Sequence, residues 1–256
     1  MIAPPQPADR IPGIGHAEAM RLTATENARL LAQLRSLTDQ QWPAATDCPG
    51  WTVRDVAVHL IASAQAQASP MEFARQVRRG RPLTAEIGGR HWVDGLNEAQ
   101  LRARADWPAA PLPELWERHS AAALKARRRL PAPIRALPLL PLGTGLGVRI
   151  GWQPLRYLFD MGFTRDVWMH RIDIARAAGI APELTPEHDG RIVADILAEW
   201  SRRHGQPYRL TLTGPAGGQF RAGDGGDAQS VDAVEFVRIL SGRADGPGVL
   251  RHKLPL

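Results

Sequence analysis

Apolar residues recur at three- and four-residue steps in four long segments of the chain, and this spacing predicts amphipathic helices. A shorter helix is predicted between the second and the third. In the second segment, Thr52 and Asp55 have the spacing of a capping box, whose side chains accept hydrogen bonds from free amides of the first turn. The predicted helices cover residues 16–37, a segment that begins at Thr52, and residues 91–105, 112–130 and 155–178. We expect the four long helices to pack as a bundle.

The pattern changes near residue 182. A helix is expected first, then two strands that form a β-hairpin across a glycine-rich turn, and then a last helix. These elements are expected at residues 182–204, 208–214, 218–223 and 231–241. The chain is therefore predicted to be mainly α. It divides into a helical domain over residues 1–181 and a small α+β domain over residues 182–256.

Residues 131–154, between the third and fourth long helices, are rich in proline and glycine and too irregular for a core element. A long connection inside a compact domain is usually functional or mobile. We interpret this one as a flap near the mouth of the bundle.

The chain has 256 residues, and its hydrophobic fraction of 44% is ample for a buried core. Its single cysteine, Cys48, excludes an internal disulfide and a cysteine-rich zinc knuckle, so a metal site must use histidine and carboxylate ligands. The N-terminal segment lacks the pattern of a signal peptide, and prolines interrupt the most apolar run. We therefore expect a cytoplasmic protein without a membrane span.

The net charge is +6, and the arginines are spread along the chain with one cluster at residues 127–129. The cluster closes a predicted helix, where the helix dipole favours cations, so we interpret it as structural rather than as a site for phosphate or anionic lipid. Scattered arginines without a recognised motif also argue against a nucleic-acid partner.

Asp166 and His170 lie four residues apart on the fourth long helix, so both side chains project from one face, one turn apart. Two ligands on one rigid helix need a third from elsewhere, and His59 on the second long helix is the natural candidate. Three protein ligands leave one position open, as in a catalytic zinc site. The same spacing also suits an ordinary helix-surface pair, and a lone histidine beside an apolar stripe is more often a hydrogen-bonded core residue.

Two segments resemble the signatures of a known family. They are residues 48–63, CPGWTVRDVAVHLIAS, and residues 164–179, TRDVWMHRIDIARAAG. The family is that of the mycothiol-dependent maleylpyruvate isomerases, in which a histidine eight residues after the Pro-Gly-Trp tryptophan and an acid-x-x-x-His pattern bind the metal. His59, Asp166 and His170 match these positions, so the resemblance implies that they hold a divalent metal, zinc. It also implies a DinB-like four-helix bundle followed by a sterol-carrier-like α+β domain.

The chain departs from the family at Asp166, because the family's acid is usually glutamate, which is one methylene longer. This difference could alter ligand distance and metal preference. Asp173 matches a family aspartate and either orients a neighbouring group or pairs with a nearby arginine. We expect Cys48 to be a packed, inert thiol, because no activating base adjoins it in sequence. Trp51 is expected in the core rather than in the site.

The resemblance extends to residues 234–246, which are similar to the family's closing helix and Gly-Arg turn. The family has a catalytic arginine at the active cleft, and this pattern indicates Arg243, with Arg238 as the alternative. An arginine there could hold a substrate carboxylate through a bidentate pair.

The resemblance implies a metal-dependent enzyme with mycothiol as cosubstrate. A bound divalent cation can present a small-molecule thiol as a thiolate, which then serves isomerisation or S-transfer on an electrophilic substrate. The alternative is a non-catalytic protein that binds metal and a small ligand. We expect a monomer or small homo-oligomer without nucleic-acid or membrane partners.

Overall fold

The computed structural model describes residues 4–89, 91–145 and 148–255. These residues form two compact units. The larger unit contains His16–Thr144 and Ile150–Pro182, and the smaller unit contains the residues up to Gly15, a short segment at 145–149, and Glu183–Leu256.

The larger unit is helical throughout its core. Its helices are α1 (His16–Ser36), α2 (Val53–Ala68), α3 (Pro70–Glu86), α4 (Trp92–Arg102), α5 (Leu112–Arg129), α6 (Ala132–Arg135) and α7 (Phe163–Ala178). Helices α1, α2, α5 and α7 are the four long helices that the apolar spacing predicts, and Leu30, Leu60, Trp116 and Ile174 are buried among them. The predicted four-helix bundle is confirmed, and so is the capping box of Thr52 and Asp55 at the start of α2.

Helix α3 is a helix that the apolar spacing does not predict. It begins after Ser69, whose hydroxyl accepts a hydrogen bond from the amide of Glu72 at 3.3 Å. The buried residues of α3 are Gln76 and Gly80, so this helix buries no large apolar side chain. Gly80 allows close approach to α4, since a Cβ atom there would lie 2.7 Å from the Cα of Leu96.

The fourth long helix begins later than predicted. Tyr157–Gly162 forms a wider π-helical turn before α7 starts at Phe163. The main-chain oxygens of Phe159 and Asp160 in this turn accept hydrogen bonds from the Arg127 guanidinium at 2.6 and 3.1 Å. Arg127 is buried, whereas its two neighbours in the cluster at the end of α5 are exposed. Arg127 therefore has a structural role through these hydrogen bonds, which the sequence did not predict.

The connection between α5 and α7 contains the short helix α6 and several two-residue strands. The strands Leu140–Pro141 and Trp152–Gln153 pair antiparallel, and two more lie at Thr144–Gly145 and Val148–Arg149. Residues 146–147 lie outside the described residues, and the interpretation of this connection as a flap stays a prediction.

The smaller unit contains a four-stranded sheet and the helices α8 (Arg191–His204) and α9 (Ala233–Leu240). The strands Tyr208–Thr213 and Gly218–Ala222 form the predicted antiparallel hairpin. The sequence did not predict the other two strands: Gln6–Pro7 pairs in parallel with the second hairpin strand, and Ala228–Asp232 pairs in parallel with the first. The fold is thus mainly α with an α+β part, as predicted.

These two additional strands change two predicted boundaries. Because Gln6–Pro7 belongs to the sheet, the described residues up to Gly15 lie in the smaller unit and not in the bundle, to which the predicted domain of residues 1–181 assigned them. Helix α9 starts at Ala233 rather than at Val231, because Asp232 caps it by accepting hydrogen bonds from the amides of Val234 and Glu235. The domain boundary near residue 181 stays a prediction. No helix within the described ranges is both long enough and apolar enough to cross a membrane.

Candidate metal centre

His59 lies midway along α2, where the surrounding apolar residues are packed into the bundle core. Its side chain is buried, with 7% of the residue exposed. One ring nitrogen, Nδ1, lies 2.8 Å from Oε1 of Gln100 on α4. The other, Nε2, faces Asp166, with 3.7 Å to the carboxylate oxygen Oδ2.

A chain of buried amides, formed by Gln76 and Gln100, determines which nitrogen of His59 carries the proton. Gln76 Nε2 donates to the main-chain oxygen of Ala62 at 3.0 Å and to a Glu72 carboxylate oxygen at 2.8 Å, and both of these groups accept. Gln76 Oε1 therefore accepts from Gln100 Nε2 at 2.8 Å. Gln100 Oε1 then accepts from Nδ1–H of His59, which leaves the Nε2 lone pair available for a metal.

His170 is oriented in the same way by a carboxylate. Its Nδ1 lies 3.0 Å from Oδ2 of Asp173, which is completely buried. The thiol of Cys48 donates to the same oxygen, with 3.4 Å between Sγ and Oδ2. The Nε2 atom of His170 faces the carboxylate of Asp166, with 3.5 Å to Oδ1. Asp173 therefore contacts the ring of His170, as the first of the two roles that the sequence left open requires, and its part in a metal centre stays a prediction.

The three predicted ligands converge on one point within the bundle. One ring nitrogen of each histidine and a carboxylate oxygen of Asp166 all lie within 4.8 Å of one another. Separations of 3.5 and 3.7 Å are longer than ordinary N–H···O hydrogen bonds. They are close to the separation of roughly 3.3 Å between two ligands of a tetrahedral zinc ion with bonds of about 2.0–2.1 Å. Two imidazole nitrogens and a carboxylate are also a donor set that suits zinc, so these residues fit the implied metal.

Three neighbours of the ligands were not assigned to the site from the sequence. The indole of Trp51 lies over both imidazoles, with ring centroids 5.1 Å from His59 and 6.2 Å from His170. The sulfur of Cys48 lies 3.8 Å from Nδ1 of His170 and 3.4 Å from the Asp173 carboxylate, so a histidine and a carboxylate adjoin it in space although no basic residue does in sequence. Gln100 has no sequence signal, because it belongs to a different helix from the histidine that it orients.

The predicted catalytic arginine, Arg243, lies in the smaller unit. It follows α9 in a half-buried turn, where its amide donates to the main-chain oxygen of Arg238 at 2.9 Å. Arg238 is buried and pairs with Glu235 one turn earlier on α9. A catalytic role for Arg243 stays a prediction.

The family model described as "Mycothiol maleylpyruvate isomerase N-terminal domain" matches residues 23–175, which include all three candidate ligands. The crystal structure of the mycothiol-dependent maleylpyruvate isomerase is similar at 18% identity, with a TM-score of 0.55 over 91% of this chain and 92% of that one. A histidine-to-alanine mutant of that isomerase is similar at 17% identity, with a TM-score of 0.57 over 90% of each chain. At these identities the likeness concerns the fold. No curated protein sequence matches the chain.

Proposed function

The chain belongs to the mycothiol maleylpyruvate isomerase N-terminal domain family, and on that premise we propose that it is a metal-dependent, thiol-dependent enzyme. In this proposal His59, Asp166 and His170 hold a divalent metal, zinc, and mycothiol is the cosubstrate. The observation that carries the proposal is the convergence of two Nε2 atoms on one carboxylate, while each Nδ1 atom is engaged elsewhere.

The chain's own residues would prepare the centre before any ligand arrives. Gln100 and Asp173 hold the two imidazoles in the tautomer that directs Nε2 inward. Asp166 contributes one negative charge, so a divalent ion held by this set would retain net positive charge toward an incoming sulfur. Trp51 covers the two rings and limits the access of water. When bound, a divalent cation supplies Lewis acidity, which favours the thiolate form of a small-molecule thiol near neutral pH.

The reaction that fits this chemistry is attack of the thiol sulfur on an electrophile. With an activated cis double bond the outcome is isomerisation, and with other electrophiles it is S-transfer. We further propose that Arg243 binds a carboxylate of the substrate through a bidentate pair.

Metal content tests the proposed centre. Protein purified without chelator is expected to carry about one zinc equivalent per chain, and His59→Ala and His170→Ala are each expected to lose it. His119→Ala is the matched control, because His119 is a half-buried histidine of the same bundle outside the group. Equal metal content in all four proteins would refute the three-ligand centre.

Turnover separates the enzyme from the non-catalytic alternative. Zinc-loaded protein is mixed with mycothiol and a panel of electrophiles that includes maleylpyruvate, and consumption of the electrophile is followed by its absorbance. The proposal expects mycothiol-dependent consumption that His170→Ala abolishes. Stoichiometric zinc without turnover on the whole panel would favour a protein that binds metal and a small ligand.

A further inference from the structure

A second polar site lies in the larger unit, apart from the metal ligands. It is a cavity of about 220 Å³ between α2, α3 and α4, and the charged residues that line it are Glu72, Arg75, Arg79 and Arg104. None of the residues that line it belongs to the group of His59, Asp166 and His170. The cavity lies beyond the amide chain, on the Nδ1 side of His59, because Gln76 lines it and Gln100 separates Gln76 from the ring.

Arg104 is the buried cation of this cavity, with 6% of the residue exposed. Its Nη1 donates to the main-chain oxygen of Gln100 at 3.0 Å, and its Nη2 donates to Oε1 of Gln65 at 2.5 Å. Both partners are neutral. The nearest carboxylate oxygen, on Glu72, lies 3.6 Å away, and Nε has no acceptor within the described part of the chain. The Trp107 ring, whose centroid lies 5.4 Å from Cζ, adds a cation–π contact. The charge of the buried guanidinium is thus only partly compensated, which is costly.

The cations around Arg104 increase this cost. Arg75 and Arg79 lie one turn apart on α3 and line the same cavity, while the one acid, Glu72, already pairs with Arg75 at 2.5 Å. Burial lowers the pKa of Arg104 most; Glu72 raises that pKa, and the charges of Arg75 and Arg79 lower it again. Three guanidinium groups and one carboxylate therefore line the cavity. Arg79 is exposed. A bound anion would relieve this imbalance.

The size of the cavity limits what the anion can be. Pockets for drug-sized ligands measure about 300–1,000 Å³, so a cavity of about 220 Å³ suits a small group. The guanidinium group of arginine binds planar and tetrahedral oxyanions through pairs of N–H groups. We propose that this cavity is a binding site for a small oxyanion, a phosphate or a carboxylate group, held by Arg104 from inside and by Arg79 at the rim.

Binding of inorganic phosphate to the full chain tests the site by isothermal titration calorimetry. The titration is done in the His170→Ala background, so that anion binding at a metal ion does not contribute and failure of the proposed metal centre does not affect the result. Arg79→Gln is expected to weaken phosphate binding several-fold. Arg104→Met, which keeps a long buried side chain, is expected to weaken it at least about tenfold.

Arg102→Gln is the matched control, because Arg102 lies two residues before Arg104 but pairs with Glu86 and Glu98 at the exposed surface. It is expected to leave phosphate affinity unchanged. Titrations with acetate and succinate then distinguish a carboxylate site from a phosphate site. The inference is overturned if none of the three anions binds, or if Arg79→Gln and Arg102→Gln bind them equally well. Arg79 is exposed, so its variant decides the test even if Arg104→Met does not fold.

Discussion

Replacing Gln100 with leucine tests whether the amide chain prepares His59 for metal. Gln100 is 2% exposed, and its two hydrogen bonds, to His59 and to Gln76, are both 2.8 Å long. Leucine has a similar volume but cannot form either bond. Gln100→Leu therefore leaves Nδ1–H of His59 and Oε1 of Gln76 without their partners while the packing of α4 is largely kept.

Two separate magnitudes follow from this change. Each buried polar group that loses its partner costs about 1–3 kcal/mol, so the free energy of unfolding is expected to fall by roughly 2–6 kcal/mol. Loss of a residue that orients a metal-bound histidine typically reduces metal affinity about 10–100-fold, which is about 1.4–2.7 kcal/mol. Gln100→Glu keeps an acceptor for Nδ1–H, so we expect it to retain more metal affinity than Gln100→Leu.

The assay is competition between metal-free protein and a chromophoric chelator for zinc, together with the visible spectrum of the cobalt-substituted protein. Gln33→Leu is the matched control, because Gln33 is a helical glutamine that donates to the main-chain oxygen of Arg171 on α7 at 3.0 Å, without contacting a ligand. It is expected to reduce stability and leave zinc affinity unchanged. Zinc affinity in Gln100→Leu equal to that of Gln33→Leu would refute the orienting role of the amide chain.

Three further changes test the fold. Arg127→Met leaves two main-chain oxygens of the π-helical turn without their donor and is expected to cost roughly 2–6 kcal/mol in urea unfolding. The exposed Arg128→Met should cost under about 0.5 kcal/mol, and equal costs would contradict the structural role. Gly80→Ala places a Cβ 2.7 Å from the Cα of Leu96 and should lower Tm by forcing α3 from α4; an unchanged Tm would contradict this close packing. Burial, followed by the charge of His252, lowers the pKa of His204 to about 4. The unfolded chain, in which this pKa is near 6.5, therefore binds the proton more readily, and stability should fall as pH falls from about 6.5 to 4. His204→Gln should flatten that slope in urea titrations, and an unchanged slope would contradict it.

The sequence predicts well those features whose determinants are local. Asp166 and His170, two of the three proposed ligands, lie one turn apart, and the geometry of a helix alone brings them to one face. Asp173 is one more turn along the same helix, and its contact with His170 could be anticipated for the same reason. The capping box at Thr52 is equally local, since both partners lie within the first turn of α2. In each case the distance along the chain is short enough for backbone geometry to determine the contact.

Features that depend on distant residues were missed. Helix α3 has Gln76 and Gly80 as its buried residues and leaves Met71 and Phe73 exposed, so its apolar residues do not form a buried stripe against the core. The strand Gln6–Pro7 pairs with residues near 220, and a two-residue strand has no period at all. Gln100 lies 41 residues from His59. No pattern in a single sequence connects Gln100 with His59, because their contact depends on how α2, α3 and α4 pack.

Gln76 and Gln100 are among the residues that could not be predicted, and because of them the two histidines are oriented by different kinds of acceptor. His170 is oriented by the carboxylate of Asp173, and a charged acceptor holds an imidazole N–H more strongly than a neutral one. His59 is oriented by a neutral amide that depends in turn on Gln76, so its position relies on the packing of two further helices. A substitution that disturbs α3 or α4 should therefore displace the His59 ring and leave the His170 ring in place. For this reason Asp166 and His170 on α7 should be the part of the proposed centre that distant substitutions disturb least. Distant substitutions that weaken metal binding should act mainly through His59 on α2.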